Sequence, residues 1–218
     1  MTTLVEGRHA AAHIVSEAPG HLSREPVVYA SGADIVAASV LGRITVGGAS
    51  SAARAGGNSG GGTLTLDAET PVLAGAKPGI YRVRCIAVAA NGGTFAVVDP
   101  AGAAIGNYAV GGPDFTSEIK FAMADVDTDF ALGDGFDVTV ADGSGKVKLL
   151  EPDALDGSAA AYGIAFGNYA AANADVLGTA HVRETEVRLA DLVWPPGITD
   201  GAKAAALAGL EARNIVAR

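Results

Sequence analysis

Apolar and polar residues alternate along much of this chain with a period of two, the signature of strands that put one face on a core and the other in water. Val27-Val28-Tyr29-Ala30 is the first firm strand, followed by a turn at Ser31-Gly32-Ala33-Asp34 and an apolar stretch from Ile35 to Val40. Leu41-Gly42-Arg43-Ile44-Thr45-Val46 then reads as a half-buried strand. Farther on, Leu64 and Leu66 alternate with threonines, and Tyr81, Val83, Cys85 and Ala87 alternate with Arg82, Arg84, Ile86 and Val88. Phe95 pairs with Val97. Phe115, Ile119, Phe121 and Met123 line one face opposite Glu118 and Lys120, and Phe136, Val138 and Val140 repeat the pattern. After residue 149 come strands at Tyr162 to Phe166 and Val176 to Val182, then the alternating run Glu184 to Leu189.

The punctuation between these rows fits. Asn91-Gly92 is a strong hairpin turn, and Asp99-Pro100-Ala101-Gly102 and Asp142-Gly143-Ser144-Gly145 are further turns. Such short strands over residues 63–148 predict a β-sandwich of roughly seven strands with its own core. Gly47 to Gly62, GGASSAARAGGNSGGG, has no side chain large enough to pack and reads as a flexible linker, with residues 51–62 as its central part. Residues 1–25 show little periodicity, and Pro19-Gly20 stops any helical turn over Ala10 to Val15, so they read as an arm poorly ordered by itself. Trp194-Pro195-Pro196-Gly197 ends the last sheet. Thr199 then caps a weakly amphipathic helix from about Asp200 to Ala212, with Leu207 and Leu210 on one side.

Composition narrows the function. The 218 residues carry 24 acidic against 15 basic side chains, a net charge of −9 that argues against nucleic acid as a partner. A mean hydropathy of +0.30 excludes compositional disorder. Only 6% of residues are aromatic while 30 are glycine, which favours turns and small-residue packing over a deep aromatic pocket. One cysteine, Cys85, rules out an internal disulfide and reads as a small buried hydrophobe. No apolar run is long enough to span a membrane, and the N-terminus lacks a signal-peptide core, so the expectation is a protein made in a cytoplasm.

Candidate chemistry is sparse. Asp125, Asp127 and Asp129 alternate as carboxylates do at the start of a calcium loop, but Phe130 and Phe136 stand where that loop needs Gly and Glu. A solvated acidic loop explains them better than a calcium site. His9 and His13 are four apart, as zinc ligands on a helix are, without a third ligand nearby. Gly57-Asn58-Ser59-Gly60-Gly61 has neither the partners of a nucleophilic serine nor the Lys-Ser/Thr of a phosphate loop. No catalytic set and no cofactor site is readable, and the chain is expected not to be an enzyme.

One stretch carries more. Asp156-Gly157, Ala161, Gly163-Ile164, Val182, Val187, Leu192 and above all Val193-Trp194-Pro195, leading into a short helix, resemble the lambda-type phage head decoration proteins. The resemblance covers about residues 24–50 and 150–218. It implies a mainly β fold: a small barrel-like decoration module (residues 26–50 and 149–218) with a short C-terminal helix, interrupted by the sandwich as an inserted domain. It also implies a virion protein on the exterior of the capsid, binding the major capsid protein as a homotrimer and stabilising the shell. In that family the N-terminal arm orders against the capsid by adding strand pairing, which here would place His21, Leu22, Arg24, Val27 and Val28 at the contact. Trp194, Pro195, Leu207 and Leu210 would form the core and trimer corner. An alternative gives the sandwich an outward-facing role in recognising a host-surface glycan or protein.

Overall fold

The computed structural model describes residues 6–218. Its elements in chain order are β1 (Ile14–Glu17), α1 (Gly20–Ser23), β2 (Arg24–Tyr29), β3 (Val40–Arg43), β4 (Val46–Ala53), β5 (Thr63–Leu66), β6 (Gly79–Ala89) and β7 (Gly92–Val98). They continue with β8 (Ala104–Ala109), β9 (Phe115–Thr116), β10 (Lys120–Ala124), β11 (Gly135–Asp142), β12 (Val147–Leu149), β13 (Ala161–Ala165) and β14 (Val176–His181). The chain ends through β15 (Thr185–Val187), a 3-10 turn, α2 (Asp200–Glu211) and β16 (Ile215–Ala217). The fold is mainly β, as the alternation predicts. Two compact units emerge: residues 1–44 with 145–218, and residues 45–144.

The first unit is a closed barrel of five strands in the order β12-β2-β14-β13-β3. Val27, Tyr29, Leu41, Val147, Ala165 and Ala180 fill it. The Tyr29 and Tyr169 rings stack there at 4.3 Å, and both hydroxyls donate to the carbonyl of Thr179, at 2.8 and 3.0 Å. Small residues set the spacing: a Cβ on Gly42 would sit 2.0 Å from the Ser158 carbonyl oxygen, so β3 can pass this close only as glycine. A second cluster (Val40, Ile164, Val187, Leu192, Leu210 and Ile215 among its members) binds α2 and the three-stranded sheet β1-β15-β16 to the barrel. The expected helix is present and its cap is as the sequence suggests: Ala202 N–H donates to Thr199 Oγ1 at 3.2 Å. Ala206 and Leu210 are its buried residues, and Leu207 is half-buried.

The second unit has eight strands in two antiparallel sheets, β4-β11-β6-β7-β8 and β5-β10-β9, over one shared core. The β6–β7 hairpin turns at Asn91, where φ is 53°. Cys85 is buried in that core, and burial pushes its thiol pKa up.

Four expectations need correction. The Gly47–Gly62 run is not a linker throughout, since Val46–Ala53 is an edge strand paired with β11 from Ala53↔Phe136 to Val46↔Asp142. Its small residues hid it: an edge strand with most side chains in solvent needs no large apolar row. The sandwich therefore runs over residues 45–144 rather than 63–148, and Val147–Leu149 belongs to the barrel, registering Val147 with both Tyr29 and Arg43. The row read as one strand from Leu41 to Val46 likewise breaks after Arg43. Finally, residues 6–25 are not a loose arm. Ile14 pairs with Val187 and Glu17 with Thr185, the Ala11 N–H donates to Phe166 O at 2.9 Å, and His13 is 2% exposed. The first five residues of the expected arm lie outside the described region.

Candidate functional site

The residues expected at the capsid contact occupy two environments. Val27 points into the barrel core and is buried. His21, Leu22 and Val28 are exposed, and Arg24 is half-buried. Strand alternation explains the split, since β2 turns Val27 and Tyr29 inward and Pro26 and Val28 outward. Across the ladder Val28 registers with Leu177, which is 73% exposed, so Pro26, Val28 and Leu177 form an apolar outer row on β2 and β14. Leu177 carries no signal in the sequence beyond sitting in a strand, and only the register reveals it.

At the other end of the module, Trp194 and Leu207 are half-buried against the cluster holding Leu210, with Pro195 beside them only partly covered. The guanidinium of Arg213 lies 4.5 Å from the centre of the Tyr162 ring. Tyr162 Oη donates to Glu25 at 3.0 Å, and Arg183 donates to the same carboxylate at 2.7 Å. The Arg183 and Tyr162 donors outweigh the opposing effect of burial and lower the pKa of the Glu25 carboxyl.

The docked N-terminal segment makes the densest polar cluster. Glu17 accepts from Arg24 Nε at 3.0 Å and Ser23 Oγ at 2.8 Å, and pairs with a second Arg24 nitrogen. Those bonds, the Arg24 bond first, hold its carboxyl pKa at about 2. The His181 ring, 0% exposed, places Nε2 3.2 Å from the same carboxylate. His13 meets His181 edge-on with ring centres 5.6 Å apart. Neither His13 nitrogen has a hydrogen-bond partner, and His181 Nδ1 also lacks one. Sequence reasoning missed this pair because residues 13 and 181 meet only through the β1–β15 ladder.

The acidic run does not converge. Asp125 Oδ1 accepts from the adjacent Val126 N–H at 2.9 Å, Asp129 Oδ1 accepts from Asn91 N–H at 2.7 Å, and Asp127 is exposed. Among the described residues no cluster of three or more His, Cys, Asp or Glu could hold a metal ion. The carboxylate that matters in this unit is Asp134, which is buried. It accepts from Ser59 N–H at 3.0 Å, Gly60 N–H at 2.9 Å and Ala131 N–H at 2.9 Å, with Arg54 3.4 Å away. Its flanking Gly133 and Gly135 mark a tight turn, the one sequence signal that could have found it. Tyr81, Phe95, Tyr108, Phe115, Phe121, Phe130 and Phe136 are all buried, so the aromatics of this unit offer no exposed platform on which a sugar could stack.

Comparison with known proteins gives one strong match. The family model of the bacteriophage lambda head decoration protein D matches residues 3–215, running through the middle unit rather than stopping at its edges. No curated protein matches. Two crystal structures of Xanthomonas campestris FlgL, in space groups H3 and C2, are 22% and 23% identical, with TM-scores of 0.32 and 0.31. They cover 49% and 47% of this chain, which spans 33% and 31% of theirs. A likeness that low carries no argument about fold or function. The match over 213 of the 218 residues (3 to 215 inclusive), on a chain with a five-stranded barrel and a C-terminal helix, settles the family: this chain belongs to the bacteriophage lambda head decoration protein D family.

Proposed function

We propose that this chain binds the outer surface of an expanded phage capsid as a homotrimer and stabilises the shell. Family membership carries the coarser part, making the chain a structural protein of the phage head that has the capsid as its partner and its place on the capsid exterior. The mechanism is linkage: many copies that bind only the expanded lattice shift the equilibrium toward it by mass action. The apolar row Pro26, Val28 and Leu177, with Leu22 also exposed, is the candidate contact with the major capsid protein. The half-covered corner of Trp194, Pro195 and Leu207 is the candidate contact between subunits. Residues 45–144 are, on this reading, a domain inserted between β3 and β12 of the barrel.

Sedimenting purified protein with expanded and unexpanded capsids tests this. The protein should pellet with expanded shells alone. Leu177→Asp should abolish pelleting while leaving stability within about 0.5 kcal/mol, as expected of a surface change. Equal pelleting with both shells would sink the stabilisation mechanism. Unchanged pelleting of Leu177→Asp would move the contact elsewhere on the module.

A further inference from the structure

The buried histidine pair leaves three of its four ring nitrogens without a partner, His181 Nε2 alone meeting Glu17, and its position gives it a role of its own. His13 lies in the turn before β1, and His181 ends β14 in the barrel wall. Packing one against the other fastens the N-terminal segment. The His13 carbonyl accepts from Arg188 N–H at 2.9 Å, Ala18 N–H donates to Glu184 O at 3.0 Å, and β1 covers one edge of β15. In the same region Arg8 donates to Asp191 O at 2.6 Å, and Asn168 donates to Arg8 O at 2.9 Å. We propose that the His13–His181 pair makes residues 6–17 an acid-released strap: a proton gained by either ring ejects the segment and uncovers the edge of β15.

The surroundings decide the sign. His13 faces His181 from β14, Glu17 from β1, Asp191 from the 3-10 turn (Leu189–Asp191), Arg188 just before that turn, and Arg8 from the preceding loop, where the exposed His9–Glu6 pair also lines a hollow of about 420 Å³. Burial, reinforced by His181, lowers the pKa of His13 from 6.5 to about 4, against the opposing pull of Asp191 and Glu17. Burial likewise lowers His181, with Glu17 opposing and Arg24 assisting. Both rings are therefore neutral when docked and regain an ordinary affinity for protons when released. A histidine held below its free value favours the docked state fully above pH 6.5, and that preference declines as pH falls from there toward about 4. Glu17, held at about 2 when docked against an ordinary 4.5, adds its own proton uptake on release only below about pH 5, so the range from 6.5 to 5 belongs to the histidines.

Hydrogen exchange on the full chain, read as protection factors so that the intrinsic pH dependence cancels, tests the strap. For the amides of Ala11, Ala18 and Arg188, protection should fall roughly tenfold per pH unit between about pH 6.5 and 5 for the His13 proton alone, and more steeply where His181 adds a second. Amides of β6 and β11 should hold theirs. In His13→Leu, which cannot take the proton, the loss should shrink to whatever His181 contributes. Constant protection of the strap amides in the wild type overturns the proposal, as does a His13→Leu profile identical to the wild type. If His13→Leu fails to fold, as circular dichroism would show, the wild-type profile decides alone.

Discussion

Asp134 shows how one side chain can order a segment that composition marks as loose. Its carboxylate accepts three backbone N–H groups from Ser59, Gly60 and Ala131, and Asn58 Oδ1 returns the favour by accepting from Gly135 N–H at 2.8 Å. Burial opposes the charge on Asp134, but these donors and Arg54 outweigh it and hold the pKa at about 2 against an ordinary 3.8. Because the folded value is the lower one, the stabilisation is complete above about pH 4 and disappears as pH falls toward 2. Asp134→Ala should cost about 2–4 kcal/mol by chemical denaturation, since it leaves several buried donors unpaired. A loss under about 0.5 kcal/mol would show that water replaces the carboxylate. Residue-level chemistry of this kind was barely legible in the sequence. The run Asp125, Asp127 and Asp129 drew attention by its alternation, whereas the carboxylate that orders this unit's loops is the isolated one between two glycines.

At the scale of elements, legibility followed side-chain size. Strands with large alternating residues, such as β6 and β11, stood out, and so did α2 with its Thr199 cap. β4 did not, because Val46–Ala53 carries only glycine, alanine and serine beyond its first residue. The glycines that follow were read for freedom when they serve close approach. A Cβ on Gly62 would fall 2.2 Å from the Phe130 ring, and one on Gly60 2.8 Å from the Phe130 backbone. Gly62→Ala should therefore destabilise the protein by about 1–3 kcal/mol as Phe130 is displaced from the core. A thermal midpoint unchanged from the wild type would restore the linker reading. The N-terminal segment was missed for a related reason: β1 is only four residues long, and its meaning lies in pairing with β15, some 170 positions away.

For the whole molecule, the apolar rows predicted a mainly β chain and the family resemblance implied a small barrel followed by a short C-terminal helix, and both are present. The structure divides into two compact units, with boundaries at residues 45 and 144 set by where β4 and β12 find their partners. The family motifs pointed to the barrel, while the family match extends over both units. The outer row proposed as the capsid contact could not be read from one strand, because Val28 and Leu177 come together only in the register of β2 against β14. A net charge of −9 suits a protein displayed at high density, since like charges keep neighbouring particles apart. The account rests on that density. The decisive measurement is the copy number of this protein in gradient-purified phage particles, relative to the major capsid protein. Lattice-wide decoration predicts a ratio near one to one, whereas a few copies per particle, or none, would contradict it.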